Sequence, residues 1–429
     1  MARKMKDSGI EWIGEIPEGW TKNKVIRLFD TIGSGTTPKN ITSDFPVVNW
    51  IQSGDITGSF MPACKNVISA NLLSQYSALK VYPAPFIIIA MYGASVGNAS
   101  ISLIDGCVNQ ACCVLSSPSC NLHYAFYVIK SAQSYLVRKA VGGGQPNISQ
   151  ETIKQLWLPL PPLSTQDIIV RNLDATCSKI DDLLSSVHAS IEEYKKFKQA
   201  VITQAVIKGV RGERERKDSG VDWIGKIPKE WVIQKIKSIS SRINVGVVIR
   251  PSEYFDENGT VPFLRGINVK EYLISSDNMV YINESSNRIL SKSQVHTDDI
   301  LIVRDGSIGT SCVVPAEFDG ANVVSMVIAT PSISCDSRFI CYSLNSDVGK
   351  TQFTLTKIGS ALTHTSVSAV SDIIVAVPSC AEQKEIADYL DAKCAEIDGL
   401  IAKKEQLIKE LESYKKSLIY EAVTGKREV

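Results

Sequence analysis

A stretch near the start of the chain comes back 211 positions later. Lys6-Asp7-Ser8-Gly9, Trp12-Ile13-Gly14, Ile16-Pro17 and Trp20 return as Lys217-Asp218-Ser219-Gly220, Trp223-Ile224-Gly225, Ile227-Pro228 and Trp231. A second echo lies 217 positions apart: Leu173-Asp174-Ala175, Cys177, Ile180-Asp181 and Leu183 against Leu390-Asp391-Ala392, Cys394, Ile397-Asp398 and Leu400. Two copies of one unit therefore make up the 429 residues. Units of common origin that pack on each other tend toward a pseudo-two-fold body, and such a body suits a partner with two parts.

The second echo opens a helix. Apolar positions run Leu173, Cys177, Ile180, Leu184, Val187, Ile191, Tyr194, alternating steps of four and three, the seam spacing of a coiled coil. Phe197 and Val201 are expected to extend the stripe after one irregular step. The second copy offers Leu390, Cys394, Ile397, Ile401, Ile408, Leu411, Tyr414 and Leu418, with Lys404 as a polar interruption. Pro159 to Pro162 stops the preceding segment, and Ser164 with Asp167 resembles a capping box, as Ser379 with Glu382 does after Pro378. Gly209 and Gly425 sit just past the last periodic residues. Each helix spans about 40 residues, or roughly 60 Å. One apolar stripe on so long a helix needs a partner, and the other copy supplies it, antiparallel.

Between the helices lie two globular segments rich in short β-type runs: Val47 to Ile51, Phe86 to Ile89 and Ala111 to Leu115, then Val261 to Leu264, Ile300 to Val303 and Val323 to Ile328. Gly93, Gly97, Gly306 and Gly309 bracket them as turns. The expected fold class is α/β: two similar domains with mainly β cores, separated by two long helices in an antiparallel coiled coil, pseudo-two-fold symmetric. The domains are expected at 1–160, the first helix at 161–210, the second domain at 211–378 and the second helix at 379–429.

Composition bounds the function. Net charge is +1 and charged residues make up 21%, so any positive potential must be local. Eleven cysteines, an odd number without a C-x-x-C pair, fit small buried hydrophobes in a reducing cytoplasm. Met1 to Asp7 lacks the apolar stretch of a secretory signal, and the run from Phe86 is too short to span a bilayer. The four histidines show no metal-ligand spacing.

The motifs resemble the specificity subunit of type I restriction-modification enzymes. The likeness rests on the Asp-Ser-Gly-x-x-Trp-Ile-Gly-x-Ile-Pro-x-x-Trp element at 7–20 and 218–231, on Gly35-Thr36-Thr37-Pro38, Gly93-Ala94-Ser95-Val96-Gly97 and Gln145-Pro146-Asn147-Ile148, and on Pro161-Pro162-Leu163 leading through Gln166 into the helix. It covers essentially the whole chain. The resemblance implies two target-recognition domains, each reading half of a bipartite asymmetric DNA site, and a coiled coil that docks two methyltransferase subunits. Two restriction/translocase subunits complete the assembly. It implies a non-catalytic, cytoplasmic subunit without a cofactor of its own; S-adenosylmethionine, ATP and Mg belong to the partners. The second half departs from the pattern, with Gly246-Val247-Val248-Ile249-Arg250-Pro251 and Leu362-Thr363-His364-Thr365 where the first has its Gly-Thr-Thr-Pro and Gln-Pro-Asn.

Bases are read mainly in the major groove, while Lys, Arg, Ser, Thr and backbone N–H groups hold phosphates. On that footing the DNA-binding candidates in the first half are Ser34, Gly35, Thr36, Thr37 and Lys39, then Tyr92, Gly93 and Ser95, then Gly143, Gln145 and Asn147. Gln and Asn suit adenine, though either glycine loop is also an ordinary turn. In the second half they are Arg250, Arg304, Ser307, Thr363 and His364. Arg304 either reads guanine or braces Asp305. Residues 25–160 carry eight Lys and Arg against five Asp and Glu, whereas residues 232–378 carry twelve against fourteen. A local patch (Arg250, Arg265, Lys270, Lys357) or the partners must supply phosphate contact there. The cations Lys195, Lys196, Lys198, Lys208, Arg211, Arg214, Arg216 and Lys217 face DNA, pair between subunits, or form a solvated surface.

No methyltransferase or nuclease signature stands out, and Gly349-Lys350-Thr351 lacks the first glycine of a phosphate-binding loop. If the helices act as a ruler, half-sites lie about 10 bp apart. Inserting one turn in both helices is then expected to lengthen the unread spacer and leave both half-sites unchanged, as read by a methylation footprint. The rival reading is a duplicated coiled-coil scaffold without DNA recognition; salt-dependent binding to duplex DNA separates the two.

Overall fold

The structure, a computed structural model, describes residues 3–39, 41, 43–142, 146–357 and 364–428. They form two compact units, residues 1–187 with 406–429 and residues 188–405.

In the first unit the core sheet is built around Phe86–Ala90, whose five residues are all buried. An unbroken apolar strand of this kind can only be covered on both faces. Side chains alternate, so Ile87 and Ile89 join the cluster under the helix Leu122–Ser131. Phe86, Ile88 and Ala90 pack on the opposite face with Ile51, Met61 and Tyr82. The sheet order is Phe29–Gly33, Cys112–Pro118, Phe86–Ala90, Ala99–Ser102, Phe60–Met61. A three-stranded sheet, Cys107–Val108, Val47–Ile51, Val67–Ser69, flanks it.

The second unit repeats the first four strands of this order with other residues. Its main sheet runs Ser240–Val245, Met326–Pro331, Ile300–Val303, Ser311–Val313, and its small sheet Val280–Ile282, Val261–Leu264, Asn322–Val323. Ile300 and Ile302 face one cluster, Leu301 and Val303 the other. Seven of the eleven cysteines are buried, and none is in a disulfide. Burial pushes the thiol pKa of Cys107 up to about 11 and those of Cys113 and Cys312 up to about 12, so these groups behave as small hydrophobes.

The long helices are Leu163–Lys208 and Cys380–Thr424. Each unit holds the start of one and the end of the other. In the first unit Ile169, Leu173, Cys177 and Ile180 share a buried cluster with Leu418, Ile419, Ala422 and Val423. In the second, Ile202, Ala205 and Val206 share one with Ile386, Ala387, Leu390 and Cys394. The starts are fixed alike. Gln166 and Gln383, both buried, donate to the carbonyls of Pro161 and Pro378. They accept from the backbone N–H of Asn121 and Asp336. Ser379 Oγ caps the N–H of Glu382 at 3.4 Å. Ser164 is no cap: the first long helix already begins at Leu163, and the Pro162 carbonyl takes the N–H groups of Thr165 and Gln166.

The seam departs from the expected stripe at one place in each helix. Phe197 and Tyr414 are about half exposed. The neighbouring lysines, Lys198 and Lys415, take the inward position with side chains only 20% and 18% exposed. Four residues beyond Tyr194 the helix points Lys198 inward, so its methylene stem covers apolar surface while the ammonium reaches out. Lys198 binds Asp398 at 2.6 Å in the second unit, and Lys415 binds Asp181 at 2.5 Å in the first. By the 217-residue offset these are the same pair with the helices exchanged. Lys404, the polar interruption, lies over the Tyr194 ring at 5.5 Å.

The twice-occurring element closes each helix end. Ile13, Ile16 and Trp20 pack with Ile419, Ala422 and Val423, and Ile224, Ile227 and Trp231 pack with Ile202, Ala205 and Val206. Gly425 and Gly209 end the helices at φ +73° and +75°. A Cβ at Gly425 would stand 2.5 Å from Pro17, so glycine is needed for approach as well as for conformation.

Candidate nucleic-acid interface

In each unit the same end of the main sheet gathers the candidate residues. In the first, Gly33 pairs with Val114 and Ala90 with Cys112, so Ser34–Lys39, Met91–Ser95 and Asn109–Ala111 leave the sheet together. The first of these loops is pinned. Ser34 Oγ donates to the Cys112 carbonyl at 2.7 Å, and Tyr82 OH donates to the Ser34 carbonyl at 2.9 Å. Thr37 Oγ1 donates to Gln110 Oε1 at 2.6 Å, and the Lys39 N–H to Tyr76 OH at 3.2 Å. Gly35 is there for contact: a Cβ would fall 1.7 Å from the Val108 carbonyl oxygen. Gly35, a DNA-binding candidate by sequence, is also a packing point. Gly246 does the same in the second unit, 2.4 Å from the Val323 carbonyl.

Tyr92 is 47% exposed and pairs by backbone with Asn147; the Gly93 N–H donates to the Pro146 carbonyl at 3.0 Å. Gly93 takes φ +76°, and Ser95 Oγ reaches the Tyr92 carbonyl at 3.5 Å. Tyr92, Gly93, Ser95 and Asn147 thus form one group. The Met91 N–H, donating to the Ala111 carbonyl at 2.7 Å, ties it to the segment holding Gln110. Thr36 lies within the same loop, half-buried. Gly143 and Gln145 lie outside the described residues. Gln110, an amide at the centre of this end, escaped the sequence reading; its signal was the Asn109-Gln110 pair between two strands.

In the second unit Val303 pairs with Met326 and Val245 with Val327, which defines the equivalent end. Asp305 pairs by backbone with His364 as Tyr92 does with Asn147, and Gly306 has the φ of Gly93, +76°. Arg304 does not brace Asp305. Its Nε donates to the Thr365 carbonyl at 2.9 Å, and the Thr365 N–H donates back to the Arg304 carbonyl at 3.1 Å. Asp305 is exposed and accepts from Ser325 Oγ at 3.2 Å. It borders a groove of about 640 Å³ with Arg265, Ile267, Lys270, Gly306 and Ser307. Arg250, at φ +44° and exposed, pairs with Glu253 at 3.1 Å. Thr363 and the Lys357 side chain lie outside the described residues.

The cation run after Tyr194 is mostly taken up inside its own unit. Lys195 and Lys196 pair one helical turn back with Glu192 and Glu193. Lys198 holds Asp398, Arg211 holds Glu385 at 2.8 Å, and Arg214 bridges Glu382 and Glu230. Arg216 and Lys217 stay exposed. Among the described residues no helix is long and apolar enough to cross a membrane.

Residues 17–193 and 228–412 match the family model of the type I restriction modification DNA specificity domain. Among curated relatives, the MjaVIII specificity subunit of Methanocaldococcus jannaschii is 26% identical over 71% of this chain and 69% of its own length. The putative MjaX specificity subunit of the same organism is 24% identical over 96% and 95%. The Escherichia coli EcoBI specificity subunit is 22% identical over 90% and 84%. Among solved structures, a chain from work on complex assembly and conformational transition of the type I R-M system aligns with TM-score 0.73 at 15% identity, covering 95% of this chain and 98% of that one. The HsdS subunit of Thermoanaerobacter tengcongensis aligns with TM-score 0.51 at 15% identity over 96% and 98%. With a match over both halves, on sheets of one topology, the chain belongs to the family of type I restriction-modification DNA specificity subunits.

Proposed function

We propose that each sheet end reads one half of a bipartite duplex DNA target, and that the chain itself is non-catalytic. Methyltransferase subunits bring S-adenosylmethionine to it; restriction subunits bring ATP and Mg. The observation that carries this reading is one backbone with different side chains. Tyr92 over Asn147 in the first unit stands where Asp305 over His364 stands in the second. A common frame with unlike exposed groups is what two unlike half-sites demand.

Asp305 gives the reading a chemical edge. A carboxylate turned toward DNA is repelled by phosphate and gains only at a base edge that donates, above all cytosine N4. Asp305→Asn adds a donor, and Asp305→Ala removes the acceptor. Either change is expected to relax the preference at one base pair of one half-site by about 10- to 100-fold, the worth of one good base contact. Mapping methylated adenines in cells that carry the variant with its cognate methyltransferase reads this directly. An unaltered motif would remove Asp305 from base reading, and a motif altered in both halves would break the one-unit, one-half-site assignment.

A further inference from the structure

We propose that a pocket in the first unit binds a small phosphorylated molecule with a planar ring, of nucleotide size. The cavity holds about 380 Å³, within the range of small-ligand sites. It lies between Trp12 of the repeated element, the helical segment Lys130–Arg138 and the last turns of the second long helix. Its cations are Lys130, Arg138 and Lys416, and none of its lining residues is acidic. Lys130 lines the pocket with its stem only, since its ammonium donates to the Gly58 carbonyl at 2.5 Å beside the neighbouring cavity. Arg138 and Lys416 have no carboxylate partner among the described residues.

Aromatic walls accompany the charge. Trp12 and Tyr135 stand with ring centroids 6.5 Å apart, and the Arg138 guanidinium lies 6.0 Å from the Tyr135 ring. Two polar atoms of the lining, Trp12 Nε1 and Ser131 Oγ, are buried and make no hydrogen bond within the protein. A phosphate beside the Arg138 guanidinium and the Lys416 ammonium gains charge-assisted hydrogen bonds, since Arg binds phosphate bidentately.

The other copy lacks this arrangement. Trp223 stands at the place of Trp12, but Asn345 replaces Lys130 and Gln199 replaces Lys416. Ser346, at the place of Ser131, donates to the Ser343 carbonyl at 2.7 Å. Its hydroxyl is satisfied where that of Ser131 is not.

The test is titration of the full chain with ATP, pyrophosphate and adenosine, read by tryptophan fluorescence and by Tm. ATP is expected to raise Tm and to change the fluorescence, with the fluorescence change lost in Trp12→Phe. Arg138→Gln with Lys416→Gln, both on exposed side chains, is expected to leave the unliganded Tm unchanged and to weaken ATP by more than about tenfold. No binding at millimolar ATP, or equal binding by the double variant, overturns the site. Pyrophosphate binding as tightly as ATP overturns recognition of the ring.

Discussion

Trp231→Ala is expected to cost the second unit about 3–5 kcal/mol, the range for emptying a fully buried large aromatic position. Trp231 is 0% exposed, meets Phe339 edge-on at 6.4 Å, and packs among Ile202, Ala205 and Val206 of one long helix and Ile386 and Ala387 of the other. Its removal would open a cavity where helix end, repeated element and globular core meet. The indole N–H makes no hydrogen bond within the protein. Trp231→Phe therefore gives up volume without stranding a partner, and is expected to cost clearly less than the alanine. Urea unfolding of the full chain, followed by far-UV circular dichroism, ranks the two variants. Equal losses would mean that the site cannot tell a partly filled space from an empty one.

Arg214→Ala is the second large effect, about 3 kcal/mol. Glu382 is 3% exposed, and Arg214 reaches its Oε1, with Glu230 at 2.7 Å on the other side of the guanidinium. The guanidinium also lies over Trp231 at 5.4 Å. Removing it leaves a buried carboxylate short of its main partner, the costly way to break such a pair. Arg211, 3.9 Å from Glu382, recovers only part of the loss. Glu382→Gln added to Arg214→Ala is expected to restore much of the stability, because the stranded charge is gone. The first copy is an internal control. Arg3 lies over Trp20 at 5.5 Å in the same manner, but Thr165 stands where the second copy has Glu382. Arg3→Ala is therefore expected to cost well under 1 kcal/mol, as for an exposed cation without a buried partner. Similar losses at Arg3 and Arg214 would place the effect in the cation–aromatic contact and not in the ion pair.

The repeated residues serve closure of the helix ends. Trp20, Trp231, Gln166 and Gln383 close helix ends and pin loops, and they recur because both units need the same closure. The exposed groups at the sheet ends differ between copies because nothing in the fold requires them to agree. The duplication, the long helices and the central strands were legible in the residues because each is a periodic pattern with a single packing solution. At Phe197 and Tyr414 residue type misled, although the alternation of four and three places Lys198 and Lys415 next in the seam. An aromatic type suggested burial, while helix geometry turned the adjacent lysines inward. The packing role of Gly35 was not legible either: its Cβ clash is with Val108, more than seventy positions away, and local sequence carries no trace of it. The partners of Arg211 and Arg214 also lie far along the chain, so a run that reads as a basic cluster proves largely neutralised in space. Asp305 owes its candidacy to the backbone pairing that puts it where Tyr92 stands in the first unit.

The most direct measurement is the methylation motif of cells carrying this chain with its cognate methyltransferase, before and after residues 21–160 are exchanged for those of another family member. The account predicts a bipartite motif in which one half changes and the other stays as it was. A motif that keeps both halves, or loses both together, would contradict it.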